Sequence, residues 1–338
     1  MRVSAIFPAW ARILKGYRPF LSIEVTRHCP LKCPGCYAYE PEHLNNGQSL
    51  RSLNEYRGDE LVERAIELVQ RYRPLHVSLV GGEPLLRHRE MTMLIGKLHE
   101  RKIETQLVTS AVLPIPEEWK KFSDLHLVVS VDGLEKEHNV RRAPATYDRI
   151  LSNIAGHRVI VHCTIVSQFL EREDYLEEFA GYWSQQEGVY RIWFSLFTPQ
   201  KGQSPPERLS PAMRNIAIDR ITALRARFPK VYASQVLIDG YRNPPPSPAT
   251  CIFAQVTQSF SADLSTTVTP CQIGGRPECS ECGCIAAAGF SAIGKFKLGG
   301  FLKLSDIFDF SRRLGVWISR SRHESCSPEL PANHETSL

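Results

Sequence analysis

Three cysteines at C-x3-C-x2-C spacing lie in the stretch Cys29-Pro30-Leu31-Lys32-Cys33-Pro34-Gly35-Cys36-Tyr37, which directly follows a short apolar run at residues 20–25. Three thiolates on one tight loop can hold three irons of a 4Fe-4S cube and leave the fourth iron open. An open coordination position is typical of a reactive metal site, whereas a full ligand set is typical of a structural one. The spacing alone predicts a three-thiolate metal site, with half of a zinc site or half of a disulfide framework as alternatives.

The composition of the chain is that of an ordinary globular protein, except for its cysteines. Of 338 residues, 43% are apolar and 23% are charged, and the net charge of +5 is too small to indicate a nucleic-acid partner. The ten cysteines are mostly clustered. We find no secretory signal and no apolar run long enough to span a bilayer. We therefore expect a cytoplasmic protein whose clustered cysteines bind metal.

Strand and helix signals alternate regularly after the cysteine loop. Six strand–helix units predict a parallel sheet with right-handed crossovers, and their number favours a partial TIM barrel, (β/α)6, over a closed eightfold barrel. The predicted strands cover residues 20–25, 76–80, 105–108, 126–131, 158–165 and 192–197. Apolar stripes predict helices at residues 61–72, 91–98, 147–154, 175–182 and 216–228, with a short helix near Trp119.

The predicted organisation has four parts. Residues 1–19 form a basic amphipathic segment, and residues 20–240 form the barrel. A proline-rich break at 244–248 then introduces a small cysteine-rich unit at 241–300, with a predicted hairpin at 257–262 and 266–269. Residues 301–338 contain an amphipathic helix and a tail. Either basic end could pack against the barrel or contact a membrane surface or partner.

Two further motifs follow predicted strands. Gly81-Gly82-Glu83-Pro84 comes after the second strand, where its glycines allow a sharp turn close to a ligand and Glu83 offers a carboxylate. Ser130-Val131-Asp132-Gly133 ends the fourth strand, and Arg141 and Arg142 follow it. Taken singly, each motif is also compatible with an ordinary strand–helix turn or a solvated charge.

Together, these motifs resemble the radical S-adenosylmethionine (radical SAM) superfamily. The resemblance implies the same (β/α)6 barrel and a 4Fe-4S cluster on Cys29, Cys33 and Cys36. The open iron would chelate the methionine part of S-adenosylmethionine, and an electron would release a 5'-deoxyadenosyl radical. The resemblance assigns cofactor contacts to Gly81, Gly82, Glu83, Pro84, Ser130, Asp132 and Arg142. Two departures are Gly35, where relatives often carry an aromatic residue, and Thr109-Ser110-Ala111, where many carry T-N-G.

A second group of cysteines lies in the C-terminal unit and comprises Cys251, Cys271, Cys279, Cys282 and Cys284. Their arrangement resembles the SPASM or shorter twitch extensions of radical SAM enzymes, which carry auxiliary 4Fe-4S clusters. Five cysteines suffice for one such cluster. We chose Cys251, Cys271, Cys279 and Cys282 as ligands, with Cys284 as the competitor. A structural four-cysteine zinc site is the alternative.

Cys163 lies alone in a predicted strand. Strand alternation places it on the face of Val159 and Val161. If that face lines the barrel, its thiol could give a hydrogen atom to a substrate radical. The competing interpretation is a small buried core thiol.

The sequence thus predicts an enzyme that cleaves S-adenosylmethionine reductively and abstracts hydrogen from a substrate that is a peptide, a small polar molecule or a lipid. The resemblance implies a reducing partner such as flavodoxin or ferredoxin. The alternative from another class is a non-catalytic iron–sulfur electron carrier or a zinc-stabilised binding protein. That alternative explains the cysteines but not the motifs at residues 81–84 and 130–133.

Overall fold

A computed structural model describes residues 6–45, 47–295, 297–298 and 302–324. Its centre is a seven-stranded parallel sheet with strand order β6-β5-β4-β3-β2-β1-β7. The strands are β1 (Phe20–Glu24), β2 (His76–Val80), β3 (Glu104–Thr109), β4 (Leu125–Ser130), β5 (Val159–Ile165), β6 (Val189–Leu196) and β7 (Thr257–Phe260). A second, two-stranded sheet pairs β8 (Lys297–Leu298) with β9 (Leu302–Lys303) in antiparallel orientation.

Eleven helices are found in the described ranges, most of them in the crossover connections. They are α1 (Ile6–Leu14), α2 (Gly58–Tyr72), α3 (His88–Glu100), α4 (Glu135–Arg141), α5 (Tyr147–Ile154), α6 (Tyr175–Gln185), α7 (Pro211–Arg227), α8 (Gln235–Arg242), α9 (Ile252–Val256), α10 (Ile285–Lys295) and α11 (Leu304–Glu324). No helix among these described residues is long and apolar enough to cross a membrane.

The two faces of the sheet differ in polarity. One face carries buried Leu, Ile and Val side chains, such as Ile23 and Leu79, which join the apolar faces of α2 and α3 in one continuous core. Because successive strand residues point to opposite faces, the other face carries Ser22, Ser78 and His162. The apolar face therefore supplies the stability of the barrel, and the polar face is available for binding.

The predicted fold class is confirmed. The strands at 76–80, 126–131 and 158–165 lie within one residue of the observed β2, β4 and β5. The amphipathic helix predicted in residues 301–338 corresponds to α11, while residues 1–5 and 325–338 of the predicted terminal segments lie outside the described residues.

The strand β7 belongs to the barrel sheet, although its position in the sequence placed it in the cysteine-rich unit. Residues 257–260, assigned to the cysteine-rich unit, form β7 and pair in parallel with β1, with Leu21 opposite Gln258. The second arm of the predicted hairpin is reduced to a single antiparallel bridge between Phe260 and Thr267. The barrel sheet therefore continues past the predicted boundary at residue 240, and the cysteine-rich segment is anchored in it.

The turn after β2 packs directly against the chain that leaves β1. Gly81 and Gly82 have φ angles of 79° and 50°, which L side chains rarely adopt. A Cβ atom on Gly82 would overlap the carbonyl oxygen of His28 and lie 2.6 Å from that of Thr26. The amide of Glu83 also donates to the His28 carbonyl at 2.8 Å. Two glycines are thus required here to hold the cysteine loop against the second strand.

Replacing Gly82 by Ala should destabilise the protein, because the new Cβ meets backbone atoms that cannot move independently. We expect a loss of about 2 kcal/mol or more in the free energy of unfolding, measured with urea. Gly202 is a matched control, since it also has a positive φ, of 79°, but has nothing within 4 Å of a built Cβ. If Gly202→Ala costs as much as Gly82→Ala, the close packing of this turn does not matter.

Candidate functional site

The three cysteines of the first group lie on a tight loop at the carboxyl end of β1. The amide of Cys36 donates to the carbonyl of Cys33 at 3.3 Å, and Gly35 completes the turn with a φ of 66°. The ring of Phe197, just after β6, would lie 3.1 Å from a Cβ on Gly35. All three cysteines are half-buried residues and free of disulfides. The loop therefore carries its three thiols at the mouth of the barrel.

Arginines from α4 and its C-terminal end approach this loop. Arg142 lies with its Nη1 atom 3.6 Å from the Sγ atom of Cys33, and its Nε atom is 3.1 Å from the Asp132 carboxylate. Arg141 reaches the carbonyl of Pro34 at 3.4 Å. The guanidinium of Arg142 thus stands between the S-x-D-G segment and the cysteine loop, two of the motifs identified in the sequence.

Burial raises the pKa of two of these thiols. The pKa of Cys36 rises to about 11 because of burial and the neighbouring Cys33 thiol, and the pKa of Cys29 is also raised, mainly by burial. Without a bound metal ion, both thiols are therefore protonated at neutral pH. A bound metal would displace these protons, since thiolates are the form that ligates.

Glu83 is fully engaged by the protein itself. Its side chain is buried, with only 1% of the residue exposed. One carboxylate oxygen accepts from Leu85 N at 3.0 Å and Thr109 Oγ1 at 2.6 Å, and the other accepts from Ser110 N at 2.8 Å and Ser110 Oγ at 2.5 Å. Thr109 and Ser110, the second of which departs from the T-N-G pattern, therefore fix Glu83 in place. The next residue, Pro84, is buried and starts a short 3-10 turn.

The remaining predicted cofactor residues lie at the end of β4. Ser130 stands opposite His162 of β5 and is half-buried. The amide of Asp132 donates to His138 Nδ1 at 3.0 Å, and His138 Nε2 donates to the carbonyl of Ala145 at 2.7 Å. Burial, with the Arg142 cation as a smaller cause, lowers the pKa of His138 to about 4. His138 is therefore neutral, and its two hydrogen bonds connect the S-x-D-G segment to Ala145. Because it lies in a polar helix, the sequence pattern did not identify it as a site residue.

A buried carboxylate that sequence reasoning missed also holds the cysteine loop. Glu55 accepts hydrogen bonds from Thr26 Oγ1 at 2.8 Å and Arg27 N at 2.9 Å, and it pairs with Arg87. Burial by itself would raise the pKa of Glu55, but these hydrogen bonds and the Arg87 cation outweigh it and lower the pKa. The first residues after β1 are therefore anchored by a permanent negative charge.

The second group of cysteines surrounds one small cavity of about 20 Å³. All five thiols, Cys251, Cys271, Cys279, Cys282 and Cys284, line it together with prolines and small apolar side chains. Burial is the main cause that raises the pKa of each thiol, to about 11 for Cys279 and about 12 for Cys284. The structure thus brings these five predicted residues together.

The loop that carries three of these cysteines is tied to the barrel. The amide of Leu196, at the end of β6, donates to the carbonyl of Gly283 at 2.9 Å, and Gly283 N donates to Thr198 Oγ1 at 2.9 Å. The guanidinium of Arg214 donates to the carbonyls of Glu281 at 2.7 Å and Cys282 at 3.2 Å. The second cysteine site is therefore built partly on β6 and α7.

Buried polar residues lie between the two cysteine sites. Glu24, at the end of β1, accepts from Ser261 Oγ at 2.6 Å and is 2.8 Å from His43 Nε2. The other ring nitrogen of His43 lies 2.9 Å from the carbonyl of Ile273, two residues past Cys271. Tyr37, next to Cys36, packs against the His43 ring with the centroids 5.7 Å apart. This network links the two loops and was not identified from the sequence.

Cys163 belongs to the core and not to either site. It is 1% exposed and packs in the same cluster as Val159 and Val161, between the sheet and its helices. The face that carries it is therefore not the polar face of the barrel, and the core-thiol interpretation applies. In the described part of the chain, no group of three or more His, Cys, Asp or Glu side chains is arranged to hold a single metal ion.

The chemistry of the donors nevertheless fits an iron–sulfur cluster at the first site. Three thiols lie on one tight loop, and the Arg142 cation beside Cys33 offsets the charge that thiolates would introduce. Thiolates are the ligands that iron–sulfur clusters use. The second site fits in the same way, since its cavity is lined by thiols and apolar side chains.

A parallel partial barrel that places a three-cysteine loop at the end of its first strand defines the molecule as an α/β-barrel protein with a candidate metal-binding loop. The family model described as "Radical SAM superfamily" matches residues 23–179, from β1 to α6. Residues 23–179 therefore form a radical SAM domain. Members of this superfamily are enzymes, and the family implies a 4Fe-4S cluster and S-adenosylmethionine.

Three relatives illustrate this similarity. The chain is 31% identical to a 7-carboxy-7-deazaguanine synthase of Hyperthermus butylicus, over 30% of this chain and 39% of the relative. It is 32% identical to a PqqA peptide cyclase of Rhodopseudomonas palustris, over 33% of this chain and 28% of the relative. Among solved structures, Streptococcus suis SuiB bound to S-adenosylmethionine superposes with a TM-score of 0.53 at 14% identity, over 77% of this chain and 60% of SuiB. The matches thus span well under half the length of these two curated relatives and about three fifths of SuiB.

The neutral, buried state of His138 predicts a stability that depends on pH. Its pKa is about 4 in the folded protein and about 6.5 when unfolded, so the unfolded state binds more protons between these values. We expect this residue alone to cost about 2 kcal/mol of unfolding free energy as the pH falls from 7 to 5. Urea unfolding of His138→Gln should show a shallower pH dependence by that amount.

The original protein, unfolded at the same pH values, provides the control for this measurement. An unchanged slope in His138→Gln would mean that His138 is able to take up a proton in the folded state.

Proposed function

We propose that this chain cleaves S-adenosylmethionine reductively at a 4Fe-4S cluster held by Cys29, Cys33 and Cys36, and that the product radical abstracts hydrogen from a peptide substrate. When bound, the cluster supplies the electron that divides S-adenosylmethionine into methionine and a 5'-deoxyadenosyl radical. The observation that carries the proposal is the meeting of the cysteine loop, the Gly81–Pro84 turn and Arg142 at one end of the barrel.

Arg142 is suited to bind and orient a carboxylate beside the cluster loop. It is buried between Asp132 and Cys33, and the neighbouring negative groups outweigh burial and raise its pKa further above the usual value. It therefore remains a fixed cation. A methionine carboxylate is the group of the cofactor that such a cation would attract.

Glu83 contributes through the shape of the turn. A carboxylate has about four lone-pair positions, and Glu83 already accepts four hydrogen bonds. A direct bond to the methionine ammonium would have to share or replace one of them. In the proposed site Glu83 holds the ends of β2 and β3 together, and its negative charge faces the ammonium group without becoming its main partner.

For the second site we propose an auxiliary 4Fe-4S cluster, with structural zinc as the alternative. Four of its thiols, those of Cys251, Cys271, Cys282 and Cys284, pack in one cluster of side chains, to which Cys279 does not belong. Burial is the main cause that raises the pKa of Cys271, and the neighbouring thiols that raise it further are those of Cys284, Cys282 and Cys251. These contacts favour Cys284 as the fourth ligand in place of Cys279. Such a cluster would accept an electron from the product radical or bind the substrate.

The proposal of a peptide substrate rests on the names of two similar proteins. The PqqA peptide cyclase is named for a peptide, and one SuiB structure is described as bound to the precursor peptide SuiA. The 7-carboxy-7-deazaguanine synthase supports the second candidate, a small polar molecule. The polar face of the sheet, with Ser78, Gln106 and His162, offers hydrogen-bonding groups to either. A low-potential reductant such as flavodoxin or ferredoxin would supply the electron.

Replacing Cys29, Cys33 and Cys36 together by Ala should abolish cofactor cleavage. After anaerobic reconstitution with iron and sulfide, the protein should bind about eight irons, and the triple variant about four. With S-adenosylmethionine and dithionite, the original protein should form 5'-deoxyadenosine and the variant none. Cys163→Ala is the control, since this core thiol should affect neither iron content nor cleavage. Continued formation of 5'-deoxyadenosine by the triple variant would refute the proposed site.

The fourth ligand of the auxiliary cluster can be identified with two single variants. Cys284→Ala should lose the second cluster, about four irons, whereas Cys279→Ala should keep it. Metal analysis and the visible absorption spectrum after reconstitution measure both. The reverse result would restore Cys279 as the ligand. Tight binding of one zinc in the presence of excess iron and sulfide would replace the cluster by a structural zinc site.

A further inference from the structure

The two terminal helices of the described chain pack tightly against each other. Trp10 Nε1 of α1 donates to Ser311 Oγ of α11 at 2.9 Å. A Cβ atom on Gly315 would overlap the carbonyl oxygen of Ile13 and lie 2.9 Å from the amide of Gly16. Small residues at the contact therefore let the helix backbones approach closely and fix the pair as a unit.

This contact also defines which residues share the outer surface. Residue 10 meets residue 311 and residue 13 meets residue 315, so the two helices run in the same direction. Residues 10 and 13 form the contact row of α1, and residues 311 and 315 form that of α11. With 3.6 residues per turn and both helices viewed from their N-termini, residues 7 and 14 lie to one side of the α1 contact row. In the same view, residues 310, 314 and 317 lie to the opposite side of the α11 contact row. Since the two contact rows face each other, both sets project from the same side of the pair.

That side is apolar and exposed. We call it the two-helix face, and it consists of Phe7, Leu14, Phe310, Leu314 and Trp317. The exposed fractions are 76% for Phe7, 68% for Phe310 and 66% for Trp317. Large aromatic side chains are rarely left in water as a contiguous group, and such a group marks an interaction surface.

Basic side chains border the two-helix face on both edges. Lys15 follows Leu14 on α1 and is exposed, and Arg313 precedes Leu314 on α11 with 75% of its side chain exposed. In the sequence, the first acidic residue is Glu24, so α1 introduces no negative charge. On α11, Asp309 is engaged by Arg312 and Arg313, and the exposed Asp306 in the first turn adds one negative charge. An apolar face between cationic edges is complementary to a surface that is apolar within and anionic outside.

We propose that the two-helix face binds the surface of an anionic lipid bilayer. The aromatic side chains would enter the interface between headgroups and acyl chains, while Lys15 and Arg313 would meet the anionic headgroups. A second copy of the chain fits less well, because a symmetric contact would bring these cations together. The proposal is independent of the proposed cofactor chemistry, since both helices lie outside the two cysteine sites.

Vesicle sedimentation tests the proposal with the full-length protein. Vesicles of phosphatidylcholine with 30% phosphatidylglycerol should carry the protein into the pellet, and pure phosphatidylcholine should carry much less. Binding to the anionic vesicles should fall steeply between low and high salt, because exposed charges are screened. Trp317 should report insertion as a blue shift of tryptophan fluorescence.

Two pairs of substitutions separate the apolar from the electrostatic contribution. Phe7→Ser with Phe310→Ser should weaken binding by about tenfold or more, as expected for two exposed aromatic side chains that lose their burial in lipid. Lys15→Glu with Arg313→Glu should weaken binding to anionic vesicles about tenfold or more and remove most of its salt dependence. Val236→Ser is the control, because Val236 is also exposed, at 48%, but lies on α8 outside this face. Circular dichroism verifies that each variant is folded.

The proposal fails if the protein does not bind anionic vesicles, or if either pair of substitutions in a folded protein leaves binding unchanged. It also fails if Val236→Ser weakens binding as much as the Phe7 and Phe310 pair. Light scattering tests the second copy as the occupant. A dimer that dissociates on Phe7→Ser with Phe310→Ser, in a protein that ignores vesicles, would assign the face to self-association.

Discussion

The close approach of the turn at Gly81 and Gly82 to the end of β1 is the constraint on which the first cysteine loop depends. It leaves no room for a side chain at residue 82, and it joins the second strand to the backbone of Thr26 and His28 immediately before the cysteine loop. Glu55 secures the same segment from the other side. Held in this way, the three thiols have a fixed position relative to Arg142 and the end of β4, which is the preorganisation that a reactive metal site needs.

Much of this architecture could be predicted from the sequence because strong local signals agreed with one another. Apolar stripes of helical period alternated with short β-branched runs, and only a parallel sheet accommodates that alternation. The cysteine spacing and the glycine pair at residues 81–82 then predicted which end of the barrel carries the site. The family match from residue 23 to residue 179 covers the same region. The predictions were most accurate where local composition and long-range packing favour the same structure.

Other features depend on partners that are distant in the sequence. β7 is a short polar strand, Thr257–Phe260, which becomes a strand only because β1 offers it an edge. The hydrogen bonds from Thr109 and Ser110 to Glu83 connect the ends of β3 and β2, and no local sequence pattern predicts them. The choice among five cysteines depends on how the loop at residues 279–284 is placed against α7 and β6. Each of these features is determined by tertiary contacts, which periodicity and motif spacing in the sequence do not predict.

The attachment of Gly283 to Leu196 and Thr198 has a consequence for the order in which the molecule matures. These backbone and side-chain bonds connect positions 85 residues apart between Thr198 and Gly283. The C-terminal thiols can converge only once the last long strand of the barrel is in place, because their loop has its anchor there. During synthesis the N-terminal cysteine loop emerges early, whereas the second cavity forms after the barrel has closed around its core. A metal that these thiols bound would therefore be loaded late, after the barrel has folded.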